Sequence, residues 1–219
     1  MKRFLRIALY IVLGFYGLCL LSFVYLRFLP PLFTVVQLQR EVESWFSDAE
    51  HDRRYDFVSL ASISDHLEHA VVAAEDTRFY EHSGFDWEQI QKARAEAERE
   101  GTAPRGASTI TQQLVKNLFF TTHRSYIRKG LEITLTPMAE VILGKDRILE
   151  LYLNVIEWGI GVYGAEAAAE YYYGVPASEL SRGRAARLAG IIPAPRERTP
   201  DGIGWYSDII LGRMGQMGW

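Results

Sequence analysis

Cysteine is almost absent from this 219-residue chain: Cys19 stands alone, so no disulfide can close within it and nothing about redox compartment follows. No alternation of apolar and polar residues runs long enough to mark a half-buried strand, and there is no internal repeat or low-complexity tract. Histidine and cysteine nowhere fall at metal-ligand spacing. Ser-x-x-Lys and Lys-Thr-Gly are both missing, which leaves an acyl-serine transpeptidase without support. An excess of positive charge is lacking too. The formal net charge is −3, and setting aside Lys2, Arg3 and Arg6 leaves the remainder more acidic still. A nucleic-acid binder would show the opposite balance.

What the chain does have begins with Ile7 to Leu26, twenty residues without a charge. At 1.5 Å per residue this run spans a hydrocarbon core of roughly 30 Å. Basic residues precede it, so the positive-inside rule places the N-terminus in the cytoplasm and the rest across the membrane. The run is too long for a signal-peptide core and no small-x-small site follows, which favours an uncleaved anchor. The expected organisation is a basic N-terminus over 1–6, a transmembrane helix over 7–29, a connector over 30–56 and one domain over 57–219.

Within the connector, Val35 to Phe46 can form an amphipathic helix. Beyond it helical signals dominate, and the domain is expected to be mainly α. Ile63, Leu67, Val71 and Ala74 recur at helical spacing. Asp86 and Gln89 have the form of a capping box for a helix ending at Gly101, with a short mobile loop to Arg105. Further helices are expected over Ser125–Leu143, Ile148–Ile156, Ala165–Tyr173, Ser178–Ile191 and Tyr206–Met217, with a glycine-rich turn over Trp158–Gly164. Pro137 should kink or break its helix near Leu135-Thr136, because it removes one hydrogen bond and clashes with the preceding turn.

Three clusters could carry chemistry. In Gly106-Ala-Ser-Thr-Ile-Thr-Gln-Gln-Leu-Val-Lys-Asn117, a Ser/Thr cluster can open a helix whose exposed amides and positive dipole end suit a phosphate. Thr109, Gln113 and Lys116 would share one polar face, with Ile110, Leu114, Val115 and Leu118 turned inward; an ordinary capped amphipathic helix has the same pattern. Glu75 follows Val71 at i+4 and so leans toward the buried side, where its pKa would rise into a range useful for general acid–base work. Its alternative is a solvated helix-end acid. Arg128 and Glu132 are i,i+4 neighbours that can pair, with an unremarkable surface ion pair as the alternative. His82 reads as a buried, hydrogen-bonded histidine rather than a catalytic one. Phe119 and Phe120, after Leu118, suit either a membrane interface or plain core packing.

Taken together, Glu75-Asp-Thr-Arg-Phe-Tyr-Glu-His-Ser-Gly84, Gly106-Ala-Ser-Thr-Ile-Thr-Gln-Gln113, Arg128-Lys-Gly-Leu-Glu132, Lys145-Asp-Arg-Ile-Leu-Glu-Leu-Tyr-Leu-Asn154 and Gly161–Gly174 resemble the peptidoglycan glycosyltransferases, in order and spacing, over about residues 57–217. That domain occurs in class A penicillin-binding proteins and alone in monofunctional transglycosylases, and the match is closest to the monofunctional, membrane-anchored type. Pro137, Arg105-Gly-Ala and Ile192-Pro-Ala-Pro195 depart from the family's usual pattern.

The resemblance implies a lysozyme-like helical fold and polymerisation of lipid II into β-1,4-linked glycan with inversion. It implies Glu75 as the base and Glu132 as the second acid. Ser108, Thr109, Gln113, Lys116 and Asn117 would lie around the pyrophosphate, with Arg128 and Lys129 adding charge. No cofactor is required with certainty, although a divalent cation such as Mg2+ could assist Glu132, with Asp76 a weaker candidate ligand. The implied partners are lipid II, the nascent glycan strand, the membrane and cell-wall synthesis or division proteins. The implied location is the outer (periplasmic) face of a bacterial inner membrane. The rival readings are a muramidase or lytic transglycosylase that cleaves glycan, and an inactive cell-wall scaffold.

Overall fold

A computed structural model describes residues 2–46, 52–102 and 106–219. The first helix, α1 (Lys2–Phe28), is 27 residues long and is long and apolar enough to cross a membrane. It stops two residues before Pro30-Pro31, as expected from the missing amide and the restriction proline places on its predecessor. The connector forms α2 (Val35–Ser44), slightly shorter than its amphipathic pattern allows. Thr34 opens it with a reciprocal box: its Oγ1 accepts from the Gln37 amide, and Gln37 Oε1 accepts from the Thr34 amide. Connector residues 47–51 and most of the expected loop before the Ser/Thr cluster, residues 103–105 with Arg105, lie outside the described residues.

The domain is built from α3 (Asp65–Glu75), α4 (Trp87–Glu100), α5 (Ile110–Phe119), α6 (Tyr126–Leu143), α7 (Lys145–Val155), α8 (Ala165–Tyr173), α9 (Arg182–Ile191) and α10 (Gly204–Gln216). Two packed groups organise them. α3 lies against α9 and α10, while α5 lies against α6 and α7. The expected inward set of α5, Ile110, Leu114, Val115 and Leu118, is buried. α4 starts on Asp86, whose carboxylate accepts the Gln89 amide, and ends at Gly101 in the left-handed region (φ +63°). Only that half of the expected Asp86–Gln89 box is made.

Two features add to the expectations. α6 is continuous from Tyr126 to Leu143, which excludes the alternative of a break at Pro137. Pro137 and Ile133 are both exposed, so the lost hydrogen bond lies on the outer face and not against the core. The domain also contains a small sheet that no alternation announced. β1 (Arg54–Tyr55) runs parallel to β3 (Val162–Tyr163), and β2 (Glu157–Gly159) pairs antiparallel with β3 through an irregular register. Strands of two or three residues are too short to show a period, and β2 and β3 are buried on both faces.

α1 is fastened sideways to the domain along α6 and the end of α5. Phe23 meets Phe119 edge-on at 5.1 Å, and Phe15 approaches Phe120 at 6.4 Å. The Tyr16 hydroxyl and Thr134 Oγ1 are 2.6 Å apart. Arg147 of α7 donates to the carbonyls of Leu26 and Leu29 at 2.7 and 2.8 Å. Burial of Cys19, Phe23 and Leu26 completes the seam. For a helix in lipid such burial gains close packing rather than transfer from water, so the seam rests on these contacts and on the Tyr16 and Arg147 hydrogen bonds.

Candidate active site

α3 delivers Glu75 to the junction between the two helix groups. Ser64 caps the helix start, Leu67, Ala70 and Val71 bury its inner face, and Glu75 occupies the last turn. At that end Arg213 of α10 donates to the carbonyls of Ala73 and Ala74 at 3.2 and 3.4 Å, placing a cation at the negative pole of the helix. The Glu75 carboxylate meets α5, where Gln113 Nε2 donates to Oε2 at 2.7 Å. Gln113 is in turn held by the Tyr152 hydroxyl, which donates to Gln113 Oε1 at 2.9 Å. Burial pushes the Glu75 pKa up, and the adjacent Asp76 pushes the same way; the Gln113 amide, Lys116 and Arg198 oppose them without cancelling the rise. A carboxylate with raised proton affinity is suited to accept a proton near neutrality.

Behind Glu75 stands a cationic group supplied by α5 and α6. Lys116 is drawn below the ordinary lysine range, first by burial and also by Arg128 and Lys129, while Glu132 and Glu75 act in the opposite direction. Its ammonium forms no ion pair among the described residues. Glu132 is buried and gathers the other two cations: Lys129 Nζ lies 2.5 Å from Oε1, and Arg128 Nη1 lies 3.6 Å from Oε2. Lys129 also donates to Ser108 Oγ at 3.2 Å. Arg128 Nε and Nη1 are buried with no hydrogen-bond acceptor among the described residues. A guanidinium short of acceptors is a ready partner for an anion.

A cleft of about 690 Å³ opens beside Glu75 and Ser108, walled by Gln89 of α4 and by Tyr206, Arg213 and Gln216 of α10. Gln113, Lys116, Arg128, Lys129 and Glu132 do not line this cleft. They join it through Gln113 on Glu75 and through Lys129 on Ser108.

The mouth of α5 differs from the sequence expectation. The amides of Thr109, Ile110 and Gln112 are not free for a phosphate. Thr109 is buried; its Oγ1 accepts the Gln112 amide at 3.2 Å and donates to the Gly84 carbonyl at 2.7 Å, and Gln112 returns a bond to the Thr109 amide. The Ile110 amide donates to Asp76 Oδ2 at 3.0 Å, so a carboxylate already occupies the positive pole. Gly84, at φ +94°, permits this closure: a Cβ there would stand 2.7 Å from Thr136 Cγ2. Thr109 therefore does not share an open stripe with Gln113 and Lys116. Asn117 is turned inward as well, its Nδ2 donating to the Gln113 carbonyl at 2.8 Å.

His82 donates from Nε2 to Asp76 at 2.9 Å and accepts the Gly84 amide on Nδ1, which makes it part of the same scaffold. Among the described residues, no three His, Cys, Asp or Glu side chains group to hold a metal ion. Asp76 is committed to Ile110 and His82, and Glu132 to Lys129 and Arg128, so neither presents a divalent cation with a free carboxylate.

Reading the sequence did not reveal Tyr152, Arg198, Tyr206, Arg213 or Gln216. Only Tyr152 lies in a motif that the sequence singled out; the others reach the site from segments without local signature.

An acid of raised proton affinity, facing a cleft and backed by cations, is the equipment of a group-transfer enzyme. The family model described as Transglycosylase matches residues 40–214, and the chain belongs to that family. It is 47% identical over 197 residues to the biosynthetic peptidoglycan transglycosylase of Chromohalobacter salexigens, covering 90% of this chain and 84% of that one. It is 51% identical over 170 residues to the protein of the same name from Pseudomonas entomophila, covering 78% and 72%. The corresponding protein of Herminiimonas arsenicoxydans is 49% identical over 166 residues, with 74% and 72% covered.

Proposed function

We propose that this protein polymerises lipid II into β-1,4-linked glycan, acting from a single N-terminal anchor at the outer face of a bacterial inner membrane. The relatives' name, biosynthetic peptidoglycan transglycosylase, supports the polymerising direction. Glu75 takes the proton of the incoming sugar 4-hydroxyl as that oxygen displaces polyprenyl pyrophosphate from the α-linked donor, giving the β product by one inversion. The departing diphosphate carries its own charge and needs cations rather than a general acid. Lys116, Arg128 and Lys129 supply them, and Glu132 holds the latter two in place. Preorganised cations at a leaving group are worth several kcal/mol of transition-state stabilisation. An inverting glycosidase would need a second carboxyl group poised to protonate a sugar oxygen. Here Glu132 is spent on Lys129 and Arg128 instead.

The observation that carries this reading is the hydrogen-bonded Glu75, raised in pKa and within the field of Lys116. The test is incubation of the purified full chain in detergent with lipid II and, separately, with finished glycan. The wild type is expected to polymerise the first and leave the second intact, and Glu75→Gln to act on neither. Polymerisation by Glu75→Gln at the wild-type rate would remove Glu75 from the base role.

A further inference from the structure

We propose that Tyr152 is a positioning residue for Glu75, acting through Gln113: its hydroxyl fixes the amide so that the N–H side always faces the carboxylate. This inference rests on reading Glu75 as the base. Tyr152 is fully buried in the core on α7, where an unpartnered hydroxyl would be costly, and its partner is Gln113 Oε1 at 2.9 Å. Burial drives its own pKa well above the ordinary phenol value, so it remains a donor throughout the working range. An amide whose oxygen is taken on one side can offer only N–H on the other, and Gln113 Nε2 lies 2.7 Å from Glu75 Oε2. The relay therefore favours the ionised carboxylate, the form that accepts a proton.

Other groups face Glu75, and the relay works against their sum. Asp76 adjoins it from the end of α3, Lys116 faces it from α5, and Arg198 approaches from the segment between α9 and α10. Arg213 of α10 binds the carbonyls of the two preceding residues. None of these touches the Gln113 amide oxygen. Among the described residues Tyr152 alone donates to that oxygen, while Glu75 accepts from the amide nitrogen.

Without the hydroxyl, Gln113 is free to turn its oxygen toward a protonated Glu75 and to stabilise the wrong form of the base. In Tyr152→Phe, the acid limb of kcat at saturating lipid II should move up by about one pH unit. Turnover below the limb should then fall about tenfold and recover on the alkaline side, with KM unchanged. Gln113→Met leaves the core packing of Tyr152 intact and should move the limb in the same direction. In the double variant Tyr152→Phe adds no further shift, because both changes cut one chain. A wild-type acid limb in either single variant, or shifts that add in the double variant, would overturn the proposal. Should Tyr152→Phe melt below the assay temperature, its profile is taken at a lower temperature beside the wild type, and the same limb shift decides. Activity in Glu75→Gln would defeat the base assignment itself. An inert Glu75→Gln beside an unshifted Tyr152→Phe would defeat only the relay.

Discussion

Replacing Asp76 by asparagine tests whether the mouth of α5 is closed by the protein's own carboxylate. Asp76 lies next to the proposed base, yet its oxygens face the Ile110 amide at 3.0 Å and His82 Nε2 at 2.9 and 3.1 Å. His82 Nδ1 accepts from Gly84, so Nε2 must carry the proton and needs an acceptor. Asparagine keeps the shape but offers one oxygen for these two donors, and its NH2 would face one of the two N–H groups. Losing a charge-assisted hydrogen bond costs about 1.5–3 kcal/mol, and the lost charge at the helix pole adds about 0.3–1 kcal/mol. Relief from burying one charge offsets part of this, leaving a net loss of about 2–3 kcal/mol. For a domain of this size each kcal/mol lowers Tm by about 2–4 °C, so a drop of roughly 5–10 °C is expected. Thermal unfolding of the full chain in detergent, followed by circular dichroism, measures it directly. A Tm equal to the wild type would refute the closed helix mouth and return α5 to the role of an open anion site.

Three further outcomes follow from the same geometry. Because folding raises the Glu75 pKa, the native state binds its proton more tightly than the unfolded chain, so this group favours folding below the unfolded pKa and that contribution is lost as pH rises through the folded value. Glu75→Gln should therefore melt no lower than wild type at neutral pH; a clear drop in Tm would contradict this sign. The pH–rate profile should be bell-shaped, its acid limb above the ordinary glutamate value and its alkaline limb below the ordinary lysine value, since activity needs Glu75 ionised and Lys116 charged. Initial rates across pH at saturating lipid II decide it, and an acid limb at the ordinary carboxylate position would count against Glu75. Lys116→Ala should lower kcat/KM for lipid II about ten- to a hundredfold, from a lost charge-assisted contact of about 1.5–3 kcal/mol; unchanged kinetics would take lysine out of the leaving-group site.

Helices were legible wherever the chain carries its own punctuation. Gly164 and Gly174 bracket α8 at φ +88° and +64°, and Gly144 (φ +79°) separates α6 from α7. Local chemistry also exposed Glu75, because Val71 one turn earlier fixes the buried direction. At the mouth of α5 the sequence leaves two alternatives open, an anion site and a plain capped helix, for a different reason. Its Thr109–Gln112 box is visible locally, but the group that fills its positive pole comes from Asp76, 34 residues before Ile110. The same distance in sequence hides Tyr152, which reaches Gln113 from 39 residues away, and Arg213, which reaches Ala74 from 139. Spacing within a helix reports which side chains share a face, but not what another element sets against it. The sheet escaped because its strands are too brief and too enclosed for any pattern to develop.

The lateral seam between α1 and the domain sets a mechanical condition. A helix joined to its neighbour only at one end acts as a leash, and the body it carries can swing; a helix stitched along its flank by Tyr16, Phe23 and the Arg147 clasp acts as a mast. The opening beside Glu75 then keeps one height and one tilt relative to whatever surrounds the mast. A version shorn of α1 would lay bare Phe119 and Phe120 and lose that bearing at once.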